Sequence, residues 1–210
     1  MKIAVLAGTM ALLPFAATAG GYVEPAAPAP APVAPAPAPI GYDWSGFYGG
    51  VQLEYGDVTA DLAATGAEAA AGDDALYGVF GGYRFDFGDF VVGGEIDYNL
   101  ADIDLTTPAG AAAGTLDSVL RAGIEAGYDA GPALIYGTAG LAQATATLAG
   151  VEDTDNGYFF GAGVDYLVTD QIVLGAEILQ HEFEGFTSTG LGTDLDISAT
   201  TFGINAAFRF

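Results

Sequence analysis

The chain contains no cysteine, a single histidine, and only four basic residues against 27 acidic ones. Without cysteine there is no disulfide framework, no zinc–thiolate site and no thiol chemistry. The basic residues are Lys2, Arg84, Arg121 and Arg209. So few cations cannot neutralise a phosphate backbone, which excludes nucleic acid as a partner. The same deficit disfavours docking on anionic headgroups. Long apolar runs are missing too. Half the residues are hydrophobic, yet no stretch of eighteen apolar residues occurs after residue 20, so a helical membrane protein is not expected. The 32 glycines have no period of three, which removes collagen. A formal charge of −23 makes a solvated acidic surface and leaves divalent cations or cationic partners as natural counter-ions.

What is present begins with a targeting segment. Met1-Lys2 is a short positive start, Ile3 to Phe15 is apolar, and Ala17-Thr18-Ala19 fits an A-x-A cleavage site. This predicts a signal peptide over residues 1–19. Residues 20–42 follow as a linker, with EPAAPAPAPVAPAPAPI at 24–40. Alternating proline lacks the N–H groups that helices and paired strands need. An extended spacer of about 3 Å per residue is expected, placed in the periplasm.

From residue 43 to residue 210 the pattern is period two. Eight segments alternate: Phe47–Tyr55, Tyr77–Phe85, Phe90–Leu100, Val119–Tyr128, Ala133–Thr145, Tyr158–Tyr166, Ile172–Leu179 and Phe202–Phe210. In the first, Phe47, Gly49, Val51, Leu53 and Tyr55 share one face, and Tyr48, Gly50, Gln52 and Glu54 share the other. The fifth is apolar on both faces, so its register stays open. Tight turns at 86–89, 129–132 and 168–171 alternate with longer acidic stretches at 57–74, 101–115, 147–156 and 184–193, read as loops. Short turns face the periplasm and long loops face outside. One strand face carries every clear strand charge. The other is aliphatic with aromatics toward its ends. That is inverted relative to a soluble barrel and suits a bilayer. The expected fold is all-β, an eight-stranded antiparallel up-and-down transmembrane β-barrel over residues 43–210.

Trp44-Ser45-Gly46-Phe47-Tyr48-Gly49-Gly50 resembles the opening of the outer-membrane β-barrel domain family, which holds OmpA-like barrels, opacity-type surface antigens and small porin-family proteins. The ending Ala206-Ala207-Phe208-Arg209-Phe210 resembles the family's terminal signal. The resemblance implies the cell outer membrane of a Gram-negative bacterium, with Phe208 and Phe210 read by the barrel-assembly machinery. It also implies adhesion or immune exposure at the family level. No peptidoglycan-binding domain is expected after the barrel.

The inward faces hold the candidate site. Arg84, Arg121 and Arg209 point inward, with Glu54, Glu95, Asp97, Glu125, Asp165 and Glu177 for company. Glu54, Glu95, Arg121 and Glu177 fall at similar heights, so Arg121 is expected to meet two or more acids in a lumen ionic cluster. Two readings stay open: an ionic plug in a lumen only wide enough for its own side chains, or a gate in a cation-preferring pore. His181 is placed near the outer rim beside Glu182 and Glu184, with Ser188 in the next loop. That is a poor basis for a triad, so no catalytic residues are assigned and no enzyme is expected. Asp102/Asp104, Glu152/Asp153/Asp155 and Asp194/Asp196 lack the ordered loop of a specific calcium site. Divalent cations there are an expectation only, and no metal site or cofactor is assigned. Gly78 to Gly82 lie within a strand and are not a phosphate loop. The function expected is a structural, surface-interacting membrane protein, with a small cation-preferring diffusion channel as the alternative.

Overall fold

The computed structural model describes residues 42–188 and 193–210, and the signal peptide and nearly all of the linker lie outside them. Eight strands run in chain order: β1 (Gly46–Leu62), β2 (Ala67–Asp86), β3 (Phe90–Thr106), β4 (Ala112–Asp129), β5 (Ala133–Leu148), β6 (Val151–Leu167), β7 (Ile172–Ser188) and β8 (Thr193–Arg209). Each pairs antiparallel with its neighbour, and β8 closes on β1. At the end where the strand sequence begins and ends, tight turns join β2 to β3, β4 to β5 and β6 to β7. Gly88 and Gly131 supply the left-handed backbone that the first two of these turns need, with φ of 98° and 82°.

The strands are longer than the alternating segments predict. Most of the stretches read as loops at 57–74, 101–115, 147–156 and 184–193 are strand. At about 3.3 Å per residue, a strand of 17 residues reaches roughly twice the length needed to cross a hydrocarbon core. The far half of the barrel therefore projects as a crown. The acids read as loop residues mostly stand on its walls. Its hairpin tips at 63–66, 107–111 and 149–150 carry no charge.

The physical reason these stretches resemble loops is a swap of polarity at constant parity. On β1 the outward residues run Phe47, Val51, Leu53, Tyr55, then Asp57, Thr59 and Asp61; the inward ones run Tyr48, Gln52, Glu54, then Gly56, Val58 and Ala60. On β3 Ile96, Tyr98 and Leu100 give way outside to Asp102 and Asp104, while Asp97 and Asn99 give way inside to Ile103 and Leu105. On β8 Phe202 and Ile204 face outward below Asp196 and Asp194, and Ile197 and Leu195 face inward. The span is greasy outside and polar inside. Most of the crown is acidic outside and aliphatic inside, as a water-soluble barrel is; on β6 Asp153 and Asp155 depart from this, half-buried with the inward parity of Phe159 and paired with Ala146 and Ala144.

The crown's inner face forms one apolar core, with Val58, Leu76, Ile103, Leu105, Leu148, Phe183, Phe186 and Leu195 all buried. β5 joins it through Ala142, Ala144, Ala146 and Leu148, whereas Ile135, Leu141, Gln143 and Thr145 face out. Its two faces look alike in sequence because lipid and aliphatic core ask for the same side chains. Aromatics ring the span at both edges. Phe47, Phe85, Phe90, Tyr128 and Tyr166 lie exposed toward the short turns, and Tyr55, Tyr77, Tyr98, Tyr158 and Phe202 toward the crown. Phe47 and Tyr83 meet edge to face at 4.6 Å.

Candidate functional site

At the short-turn end, Trp44 tucks under the barrel and is 1% exposed. Its amide donates to Asp86 Oδ2 at 2.8 Å and its indole N–H to the Gly131 carbonyl at 3.2 Å. The guanidiniums of Arg84 and Arg209 stand 5.7 and 5.6 Å from its ring. Arg209 donates to the carbonyls of Asp43 and Ser45. Nearby, Phe210 N–H donates to Phe47 O at 3.0 Å, while Phe208 faces outward beside Gly49.

Above Trp44 lies the first ionic layer. Arg84 grips Glu125 with two parallel bonds of 2.6 and 2.8 Å and reaches Asp165 at 2.7 Å. The Tyr48 ring lies 4.4 Å from the guanidinium. The second layer centres on Arg121, which is 2% exposed. It binds Glu54 at 2.6 Å and Asp97 at 2.7 Å, and its third nitrogen lies 3.3 Å from His181 Nε2. Asn99 and Gln52 extend this layer, with Asn99 donating to Asp97 at 2.8 Å and Gln52 to Asn99 at 2.9 Å.

The eight side chains of the expected cluster are thus dispersed. Arg121, Glu54 and Asp97 meet in one layer; Arg84 and Glu125 meet in another. Glu95 and Glu177 pair with no arginine among the described residues. They are half-buried, and tyrosine hydroxyls serve them: Tyr48 donates to Glu95 at 2.8 Å and Tyr136 to Glu177 at 3.2 Å. Arg209 belongs to neither layer. It lies one turn of the pleat too near the rim and binds backbone instead. His181 is a correction as well. It is 3% exposed and faces the lumen, because its parity matches Leu179 and Phe183 on β7. An arginine can only donate, so Nε2 accepts and Nδ1–H points at the Ala199 carbonyl, 3.4 Å away. Both ring nitrogens are engaged, which leaves neither free to act as a general base. Ser188 pairs with Thr193 near the far tip, whereas His181 pairs with Ala199.

A simple rule places four of these contacts, while Asp97 and Arg121 are direct cross-strand neighbours. Partners sit two strands apart at one register, with an inward glycine between them. Gly93 lies between Arg84 and Glu125, Gly82 between Tyr48 and Glu95, Gly78 between Gln52 and Asn99, and Gly163 between Tyr136 and Glu177. A Cβ on Gly93 would fall 2.4 Å from Glu125 Oε1, and one on Gly163 would fall 2.4 Å from the Tyr136 ring. The missing side chain is the room in which two neighbours meet. Sequence reasoning overlooked Tyr48, Tyr136, Gln52 and Asn99. The glycine at the bridging register is the signal that finds them. Two bridges differ. Glu54 and Glu177 flank Gly203, and Asp165 and Asn205 flank Gly175. Among the described residues the buried oxygens Glu54 Oε2 and Asp165 Oδ1 have no hydrogen-bond partner.

From one end to the other the lumen holds Trp44, the Arg84 layer, the tyrosine-bound acids, the Arg121 layer and then the aliphatic core. Among the described residues no group of three or more histidine or acidic side chains is arranged to hold a metal ion.

Comparison with known proteins agrees with this architecture. The 25 kDa outer-membrane immunogenic protein of Brucella melitensis is 30% identical over 210 residues, covering 95% of this chain and 94% of that protein. The 22 kDa outer membrane protein of Rhizobium leguminosarum is 29% identical over 175 residues, covering 79% of this chain and 78% of that one. The crystal structure of Ail, the attachment invasion locus protein of Yersinia pestis, superposes with a TM-score of 0.50 at 14% identity, covering 79% of this chain and 99% of Ail. That likeness concerns the fold alone. The sequence pattern of the outer membrane protein beta-barrel domain matches residues 26–210, and the chain belongs to that family of outer-membrane β-barrels.

Proposed function

We propose that this protein is a closed, non-enzymatic barrel that reinforces the outer membrane and presents an acidic crown to the exterior. The observation that carries this reading is closure in series: an indole, two arginine layers and an aliphatic core occupy one lumen. In this reading the Arg84 and Arg121 layers are ionic plugs. Removing one arginine leaves buried carboxylates unpaired, so the layers resist opening. The short turns, the chain termini and the linker face the periplasm, and the crown faces outward, the usual arrangement of such barrels. The name of the Brucella melitensis relative, an outer-membrane immunogenic protein, supports an exposed crown. Phe208 and Phe210 are the proposed assembly signal.

The second reading is a small cation-preferring channel. Half-buried Glu95 and Glu177, neither held by an arginine, favour it. Planar-bilayer recording on refolded protein separates the two. The closed barrel gives no steady conductance. Steady cation-selective openings that shrink in Glu95→Gln would replace this reading with the channel.

A further inference from the structure

The mouth of the crown contains a cavity of about 400 Å³. Its lining includes Leu62, Leu105, Leu148, Leu195, Ile197 and Ala112, and among the described residues no charged side chain takes part. Leu105, Leu148 and Leu195 form a buried floor, at most 2% exposed. The volume falls in the range of about 300–1,000 Å³ typical of pockets that take small ligands or anchor side chains, and barrel mouths are a common place for them. Among the described residues paired strands carry the walls almost to the tips, which leaves few loop residues to order on binding.

The ring around this pocket has one sign of charge. Exposed Glu68, Asp104, Asp194 and Asp196 and half-buried Asp61 and Asp117 stand on the crown's strands. The three arginines of the barrel are all spent in the lumen or under Trp44, so no lysine or arginine stands on the described crown. An anionic partner is repelled by this field, and a purely apolar one gains nothing from it. The partner that matches both features carries an apolar anchor flanked by positive charges that reach over the rim to the acids on the outer wall.

We infer that the crown mouth is a docking site for a cationic amphipathic segment of a polypeptide, which seats an apolar side chain among the mouth leucines and sets lysines or arginines on the surrounding acids. The biological use of the site rests on the proposed outward orientation of the crown; the binding itself does not.

The test uses the full barrel refolded into nanodiscs of zwitterionic lipid and a dye-labelled peptide of alternating lysine and leucine, followed by anisotropy. Saturable binding is expected, weakened at least tenfold when the leucines become serine or the lysines glutamate. Filling the mouth with Ala112→Trp or Ala69→Trp should weaken binding at least tenfold. Neutralising the rim with Asp61→Asn, Asp194→Asn and Asp196→Asn together should weaken it and flatten its salt dependence. Because the chain has no cysteine, a bimane on Thr107→Cys reports the mouth directly without a filling substitution, and its emission should shift on adding peptide. Unchanged binding in the filled variants, equal binding of the serine peptide, or a bimane that ignores the peptide and is quenched by brominated lipid each overturns the inference. An impermeant maleimide on Thr65→Cys in intact cells tests orientation separately. Labelling only after lysis would sink the outward crown while leaving the peptide result standing.

Discussion

Arg121 has the most to lose from a single substitution. Its guanidinium, on a residue only 2% exposed, serves Glu54, Asp97 and His181. Arg121→Ala should cost about 3–5 kcal/mol in urea unfolding, since two buried carboxylates are left facing each other. Adding Glu54→Gln and Asp97→Asn should recover part of that loss, and a triple variant as weak as the single one would show that the charge is not the cause. A second prediction concerns residue 43. The Ser45 amide donates to the Asp43 carboxylate at 2.8 Å and holds its pKa below the ordinary 3.8. A group whose pKa is depressed on folding contributes stability above its unfolded pKa and loses it as pH falls through the folded value. The 43–45 segment should therefore stay in place at neutral and mildly acid pH and loosen only below about pH 4. Trp44 is the sole tryptophan, so its emission against pH reads this directly. The transition should vanish in Asp43→Asn.

At the scale of the strand, two neighbouring glycines make opposite predictions. Gly93 faces in, where a Cβ would meet Glu125 Oε1 at 2.4 Å and the Tyr83 carbonyl at 2.9 Å. Gly94 faces lipid, and its nearest atom would be 3.6 Å away. Gly93→Ala should destabilise by about 1–3 kcal/mol, while Gly94→Ala should change urea stability little. Equal effects would refute the bridging role. The polarity swap makes a matching forecast along β1. Val51→Arg places a charge toward mid-bilayer and should cost about 2–4 kcal/mol. Thr59→Arg keeps the same outward parity in the crown and should stay within about 0.5 kcal/mol. Val58→Asp, inward in the crown core, should be severe although acids are normal on that face only a few residues below.

At the scale of the whole molecule, the barriers lie in series. Neither Trp44→Ala nor Arg121→Ala should by itself produce steady bilayer conductance, because the aliphatic core of the crown remains. A conducting Trp44→Ala would place the principal seal at the short-turn end. The sequence by itself determined the barrel, its eight strands, the side that meets lipid and the inward parity of the arginines. Each of these follows from local alternation and turn chemistry, which neighbours along the chain set without reference to distant residues. Only the tertiary structure decided where the strands stop, because a solvated strand face and a loop are equally rich in aspartate and threonine. It alone fixed the register of β5, whose two faces meet lipid and aliphatic core. It also decided which acid meets which arginine. That choice depends on strand stagger around a closed ring, and on glycines on the strand between the charges they bring together.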